Sequence, residues 1–260
     1  MLHGFVLVLS LICFSGYGQS LYPSAANAHS HNDYEQSSPF WLAWKHGFGS
    51  VEADIFLDND ELIVTHDKKQ ILRRWTLDSF YLQPLQQCIT ANKEYVYTDT
   101  SRHLQLMIDM KSDAISTLNK LVEKLKSYPS LINCSSLRIV ISGNRPAASS
   151  FSDWPEWIRF DGVLQQEYSE KELEKIDMLS DNFAHYSSWK GEGELPEKEK
   201  QVLQDMINKT HRLNKKIRFW NAPDNPYSWK VFIELGIDYI NTDHIETLSS
   251  FLKTYKKKIF

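Results

Sequence analysis

Three segments of this 260-residue chain concentrate residues able to do chemistry: His29-Ser30-His31-Asn32-Asp33-Tyr34, Val51-Glu52-Ala53-Asp54-Ile55 and Val64-Thr65-His66-Asp67. Glu52 and Asp54 alternate with Val, Ala and Ile, the pattern of a strand with acid on one face and packing on the other. Two like charges side by side are costly to bury unless a cation or a reacting group lies between them. Histidines flank the pair in sequence, and imidazole exchanges protons near neutral pH. Further on, Leu106-Met107-Ile108-Asp109-Met110-Lys111 puts Asp109 and Lys111 on one strand face. Three carboxylates, several imidazoles and one ammonium make an oxygen-rich site suited to Ca²⁺ or Mg²⁺. Each residue taken singly reads as a surface charge or a core histidine. Six of them at the ends of successive strands read as a catalytic site.

Those strands need a scaffold. Strands are predicted to end near His31, Asp54, Asp109, Ser142, Gln165, Tyr186, Trp220 and Thr242, with helical patterns between them. Ser38-Pro39 opens one helix that closes at Gly47. Asp113 caps another, with Ile115, Leu118, Leu121, Val122 and Leu125 on one face. Pro196 opens a third that runs toward Asn214, and Asn225-Pro226 a fourth that ends at Gly236. Alternating strands and helices imply a parallel sheet. Eight strands in a mature chain of about 240 residues match a closed (β/α)₈ TIM barrel, an α/β fold in a single domain. An open doubly wound sheet is the competitor, but no Gly-rich strand-to-helix turn marks a nucleotide site. In a barrel the charged strand ends fall on the C-terminal rim, where barrels do chemistry.

Composition narrows the partners. The chain is 42% hydrophobic and 24% charged with net charge -4, an ordinary globular balance. That balance excludes a nucleic-acid binder driven by charge. The basic run Lys253 to Lys258 reads as a solvated helix end. Gly4 to Ser15 is an apolar run too short to span a bilayer, followed by Gly16-Tyr17-Gly18. It reads as a secretory signal over residues 1–18, leaving 19–260 as the exported barrel, secreted or periplasmic. A lipidated Cys13 is the weaker reading, because Ile12 is bulky for the preceding position. No later stretch is apolar enough for a membrane span. Cys88 and Cys134 could pair in an exported protein or remain buried thiols. Sequons stand at Asn133 and Asn208.

At this point the segments resemble a known group, the phospholipase C-like phosphodiesterases, which includes glycerophosphodiester phosphodiesterases and phosphatidylinositol-specific phospholipases C. Ser30-His31-Asn32-Asp33-Tyr34 is similar to the Ser-His-Asn segment of the phosphoinositide enzymes. Glu52-Ala53-Asp54 followed by His66-Asp67 is similar to the Glu-x-Asp and His-Asp motifs of the glycerophosphodiesterases. Ile108 to Lys111 resembles their Glu-x-Lys strand with Asp109 in place of Glu, and Ile240 to Asp243 their final strand. Closer still is the branch of altered inheritance of mitochondria protein 6. There a His-x-His-Asn-Asp-Tyr opening goes with segments like Ile141 to Pro146 and Arg218 to Asp224.

The resemblance covers nearly the whole mature chain and implies metal-assisted cleavage of a small-molecule or lipid-derived phosphodiester. In that reading Glu52, Asp54, Asp109 and Asn32 hold a divalent cation, Ca²⁺ or Mg²⁺. His31 and His66 act as acid and base, with His29 the competitor for the first position; His31 is preferred because Asn32 follows it. Lys111, Arg145 or Arg218 clamp the phosphate oxygens, with Trp220 beside them. For each of the three cations a salt bridge to a rim carboxylate is an equal alternative.

Two other functions stay open. A His-x-His at the end of strand one also opens metal-dependent amidohydrolase barrels, for which His185 and Asp243 would serve. An inactivated, ligand-binding barrel is the other. Trp41 and Trp44, at helical spacing, read as packing. Trp154, Trp157 and Trp189 fall in loops where they could face a substrate, and Gly191 to Glu194 reads as a mobile loop near the mouth.

Overall fold

The computed structural model describes residues 24–255. The signal segment 1–18 and Cys13 lie outside the described residues, and so do 256–260. In chain order the elements are β1 (Ala28–Ser30), α1 (Trp41–His46), β2 (Ser50–Asp58), β3 (Glu61–Val64), α2 (Gln83–Ala91) and β4 (Leu104–Met110). They continue with α3 (Ala114–Lys126), α4 (Pro129–Ile132), β5 (Leu137–Gly143), β6 (Ile158–Val163), α5 (Glu170–Leu173) and β7 (Ile176–Asn182). The chain closes with α6 (Glu197–Arg212), β8 (Lys216–Trp220), α7 (Pro226–Leu235), β9 (Ile240–Thr242) and α8 (Ile245–Thr254).

Eight parallel strands pair in the order β8-β7-β6-β5-β4-β2-β1-β9. A bridge between Arg218 and Tyr239 and the bond from Tyr239 N to Ile217 O (3.2 Å) bring the two ends together. The result is the expected (β/α)₈ barrel. Branched and aromatic residues on the outer strand faces pack under the helices as one large core. Inside the barrel, Met107, Val140, Met178 and Tyr239 form a separate apolar plug, so the interior is filled and chemistry is confined to the rim.

Capping chemistry sets the helices where the sequence places them. Asp113 Oδ1 accepts from Ser116 N at 3.0 Å to start α3, and Asn225 Oδ1 caps α7, which ends at Gly236 with φ 90°. Burial on α3 falls on Leu118, Leu121, Val122 and Leu125, whereas Ile115 in its first turn is half exposed. Lys253 lies in the last turn of α8.

Three local expectations are corrected. The helix expected from Ser38 starts at Trp41, because Phe40 adopts φ 62° and donates its N–H to Asp33 Oδ2 at 2.5 Å. β2 does not end at Asp54 but continues to Asp58 and doubles back as β3. Asn59 and Asp60 both take positive φ, 47° and 66°, the backbone that closes a two-residue hairpin and that Asn and Asp tolerate. β6 and β7 stop at Val163 and Asn182, short of Gln165 and Tyr186. After β5 the connection carries a 3₁₀ segment (Ala148–Asp153). Cys88 and Cys134 are buried free thiols.

Candidate active site

Strand register assembles the carboxylates. β2 pairs with β4 so that Asp54 stands beside Asp109, and Glu52 lies one step lower on the same face of β2. Neighbouring strands are about 4.8 Å apart. One oxygen from each of Glu52, Asp54 and Asp109 accordingly falls within 4.8 Å of the others. Lys111 Nζ sits 3.2 Å from Asp54 Oδ2 and 3.1 Å from Asp109 Oδ2. The other oxygens, Asp54 Oδ1 and Asp109 Oδ1, are buried and have no hydrogen-bond partner. Burial and the neighbouring carboxylates raise the Asp54 carboxyl, and by the same causes Asp109 is raised to about 6 despite Lys111. Two unpartnered, electron-rich oxygens within a group of three neighbouring carboxylates fit a hard divalent cation.

Gly143, given no role of its own within the Ile141 to Pro146 segment, has a definite place here. At φ +70°, its Cβ would lie 2.0 Å from Asp109 Oδ1, so only glycine lets the carboxylate occupy this position. Its signal was a lone glycine just past a strand end.

The hairpin β2–β3 delivers the first histidine. Ile55 pairs with Val64, and Thr65 N donates to Asp54 O at 3.1 Å, so the chain returns to the level of Asp54. His66 Nδ1 then donates to Asp54 Oδ2 at 2.7 Å. A carboxylate only accepts, so the proton is on Nδ1 and Nε2 is left as the free basic nitrogen. His31 repeats this device. β1 pairs with β9, setting Ser30 against Thr242, and His31 Nδ1 donates to Asp243 Oδ1 at 2.8 Å. Burial alone would lower the His31 pKa, but the bond to Asp243 and the nearby Glu52 raise it overall. Asp224 fixes Asp243 by accepting from its backbone N at 2.8 Å and from Trp229 Nε1 at 2.7 Å. The Trp220 to Asp224 segment thus holds this corner of the rim.

Asn32 is brought to the same site. Its φ of 43° turns the chain out of β1. The Tyr34 hydroxyl lies 3.0 Å from both Asn32 Oδ1 and Asp54 Oδ2. One phenolic proton serves one acceptor at a time, which leaves the other free for a cation. Tyr34 carried no role in the sequence reading; its place in the motif was the only signal. Asp33 pins this turn from beneath, accepting from Ser30 Oγ at 2.7 Å and Tyr81 OH at 3.0 Å, and burial raises it to about 6.

His29 lies elsewhere. It is fully buried, with Nδ1 2.7 Å from Ser50 Oγ and Nε2 2.8 Å from Glu52 Oε2. Burial and the Arg218 charge lower it to about 4, so it is neutral and out of substrate reach. Arg218 is also buried, 2.8 Å from Glu52 Oε2 and in contact with His29. Burial opposes ionisation of Glu52, yet Arg218 and His29 hold its carboxyl well below the usual range. Of the three candidate phosphate clamps, Arg218 is therefore an internal counter-ion. Lys111 pairs with rim carboxylates. Arg145, just past β5, has no carboxylate in ion-pair contact among the described residues, and its side chain reaches only Gly143 O at 3.3 Å. Trp220 ends β8 with its side chain partly exposed. Arg218→Met should leave Glu52 in the interior without its permanent counter-ion, at a cost of roughly 3–5 kcal/mol, read from the urea midpoint of unfolding.

His185 binds Asp181 at 2.9 Å, on the opposite face of β7 from Ser180, and takes no part in the cation-competent cluster found among the described residues. The amidohydrolase expectation loses its third imidazole. Trp189 is buried and donates to Glu192 O at 2.9 Å, which ties down the 191–194 loop. Trp154 and Trp157 pack against the core, and so does Trp44; Trp41 stacks on Trp44 edge to face.

Comparison with known proteins agrees with this geometry. The model of the AIM6-like phosphodiesterase domain matches residues 21–131, which include every candidate ligand and both rim histidines. That of the glycerophosphoryl diester phosphodiesterase family matches residues 216–246. Altered inheritance of mitochondria protein 6 from Kluyveromyces lactis is 27% identical, covering 86% of this chain and 72% of that protein. The homolog from Arthroderma benhamiae is 25% identical over 86% of this chain and 82% of its own. Their names record a genetic phenotype and state no reaction. A crystal structure of a glycerophosphodiester phosphodiesterase from Parabacteroides distasonis superposes with TM-score 0.56 at 17% identity, covering 88% of this chain and 97% of that one, a likeness of fold. Motifs, barrel and matches agree: the chain is similar to the phospholipase C-like phosphodiesterase superfamily, and within it to the branch of altered inheritance of mitochondria protein 6.

Proposed function

We propose that this chain is an exported, divalent-cation-dependent phosphodiesterase acting on a glycerol- or inositol-type phosphodiester, with residues 19–260 as the enzyme. One observation carries the reading. Two buried carboxylate oxygens lack partners beside a third carboxylate, and two histidines with carboxylate-anchored Nδ1 atoms flank them. Glu52, Asp54 and Asp109 would hold the cation, with Asn32 as a neutral oxygen donor. A bound Ca²⁺ or Mg²⁺ supplies charge neutralisation of the phosphate. His31, whose proton affinity is raised, protonates the leaving oxygen, and His66 takes the proton of the nucleophile. Arg145 binds a non-bridging oxygen, and Lys111 balances Asp54 and Asp109.

The test is turnover of bis-p-nitrophenyl phosphate and a panel of glycerophosphodiesters with EDTA, then with Ca²⁺, Mg²⁺ or Zn²⁺ restored. Loss in EDTA with recovery in calcium or magnesium is expected; recovery by zinc alone favours an imidazole-ligated metal. No turnover by folded protein with any metal overturns the reading in favour of a binding barrel. Cation affinity has a definite pH sign. Asp109, raised to about 6, holds a proton below that pH, and a cation must displace it. Affinity should fall about tenfold per pH unit below about 6 and level off above it.

A further inference from the structure

The segment that leaves the site immediately after His66 has a surface unlike the rest of the molecule. Lys68–Arg73 forms a short 3₁₀ helix, capped by Asp67 Oδ1 accepting from Lys69 N at 2.9 Å. At its end Leu72 is 89% exposed, whereas the other large exposed hydrophobics of the described residues lie between 37% and 49%. Trp75, at 37%, stands beside it, with the Arg73 guanidinium 4.9 Å above its ring and Phe80 stacked on it. In a chain of net charge -4 this stretch is basic. Arg74 pairs with Asp58 and Glu61. Lys68, Lys69 and Arg73 have no carboxylate in ion-pair contact among the described residues.

The segment is held in place. His66 is fixed to Asp54 at one end, and at the other Val64 N donates to Trp75 O at 2.6 Å and Thr76 bridges Ile63. A leucine held in water, within a segment that also carries the cations Lys68, Lys69 and Arg73 and the partly exposed indole of Trp75, is unfavourable until the leucine enters an apolar phase and the cations meet anions. A surface of anionic phospholipid supplies both at once. Acyl chains receive Leu72, headgroups meet Lys68, Lys69 and Arg73, and Trp75 lies at the boundary. The apolar tip is too small for a stable protein interface, which needs about 800 Å² per partner. No helix among the described residues is long and apolar enough to cross a membrane, so contact through this tip is peripheral.

We propose that the Asp67–Trp75 segment is an interfacial anchor that docks the barrel mouth onto anionic phospholipid surfaces. Docking itself stands apart from catalysis; that it presents a lipid phosphodiester to His66 rests on the proposed phosphodiesterase reading.

The experiment is co-sedimentation of the protein with phosphatidylglycerol or phosphatidylcholine vesicles at two salt concentrations, alongside turnover of bis-p-nitrophenyl phosphate. Binding to phosphatidylglycerol that weakens with salt, and little binding to phosphatidylcholine, is expected. Leu72→Asp should weaken it roughly tenfold or more, and Lys68→Glu/Lys69→Glu/Arg73→Glu on the order of 100-fold. Both variants should retain turnover of the soluble diester. Absent sedimentation with phosphatidylglycerol, equal binding to both lipids, or binding unchanged in both variants overturns the anchor. Self-association abolished by Leu72→Asp, without vesicle binding, assigns the tip to an interface between copies and also overturns it. Vesicle binding by a protein that hydrolyses no diester leaves the anchor standing and counts against the phosphodiesterase reading alone.

Discussion

Asp54→Asn should lower kcat for a soluble phosphodiester by on the order of 10³–10⁴, the largest effect expected of any single substitution. Asp54 serves several partners at once. Its Oδ2 accepts from His66 Nδ1 at 2.7 Å and from the Tyr34 hydroxyl at 3.0 Å and pairs with Lys111 Nζ at 3.2 Å. Its Oδ1 is one of the two free buried oxygens at the proposed cation site. An amide carries no charge and has a single oxygen, which can serve either the cation or His66 Nδ1 but not both. The folded state should not suffer in proportion, because burial and Glu52 already make ionisation of Asp54 unfavourable. The check is a pair of measurements on one preparation: kcat at saturating cation, and the urea midpoint. A large loss of stability with a small loss of kcat would move Asp54 from the chemistry to the scaffold.

His66→Ala should cost about 10²–10⁴ in kcat and leave stability within about 0.5 kcal/mol. The His66 side chain is 61% exposed and makes one hydrogen bond, to a carboxylate that keeps Tyr34 and Lys111. The binding of calcium or magnesium should be little changed, since Asp54 Oδ1 is not the atom His66 contacts. That separation distinguishes a proton-transfer role from a ligand role. The pH profile adds a second readout: the limb that reports His31 should persist in the variant. Loss of cation binding in step with kcat would show that His66 acts by holding Asp54.

Much of the site was legible in the sequence because strand periodicity is strict. Glu52 with Asp54, and Asp109 with Lys111, must share faces whatever the tertiary structure. The alternation of strands with Pro-, Asp- and Asn-opened helices left few folds besides a parallel barrel. Local chemistry also placed the caps at Asp113, Asn225 and Gly236, since these depend on neighbours in the chain.

Register, closure and burial lay beyond the sequence, because each is set by residues distant along the chain. The pairing of Asp54 with Asp109 depends on how β2 aligns with β4, and that of His31 with Asp243 on barrel closure through β9. His29 and His31 look alike in sequence, two residues apart at the end of one strand. One rung of depth separates a neutral histidine locked between Ser50 and Glu52 from one at the mouth. The same depth makes Arg218 the counter-ion of Glu52 while Arg145 stays uncommitted. Residue type and spacing determined which groups this protein would bring to one rim. Depth in the barrel decided which of them can meet a substrate, because water and ligand reach only the top layer of a filled interior.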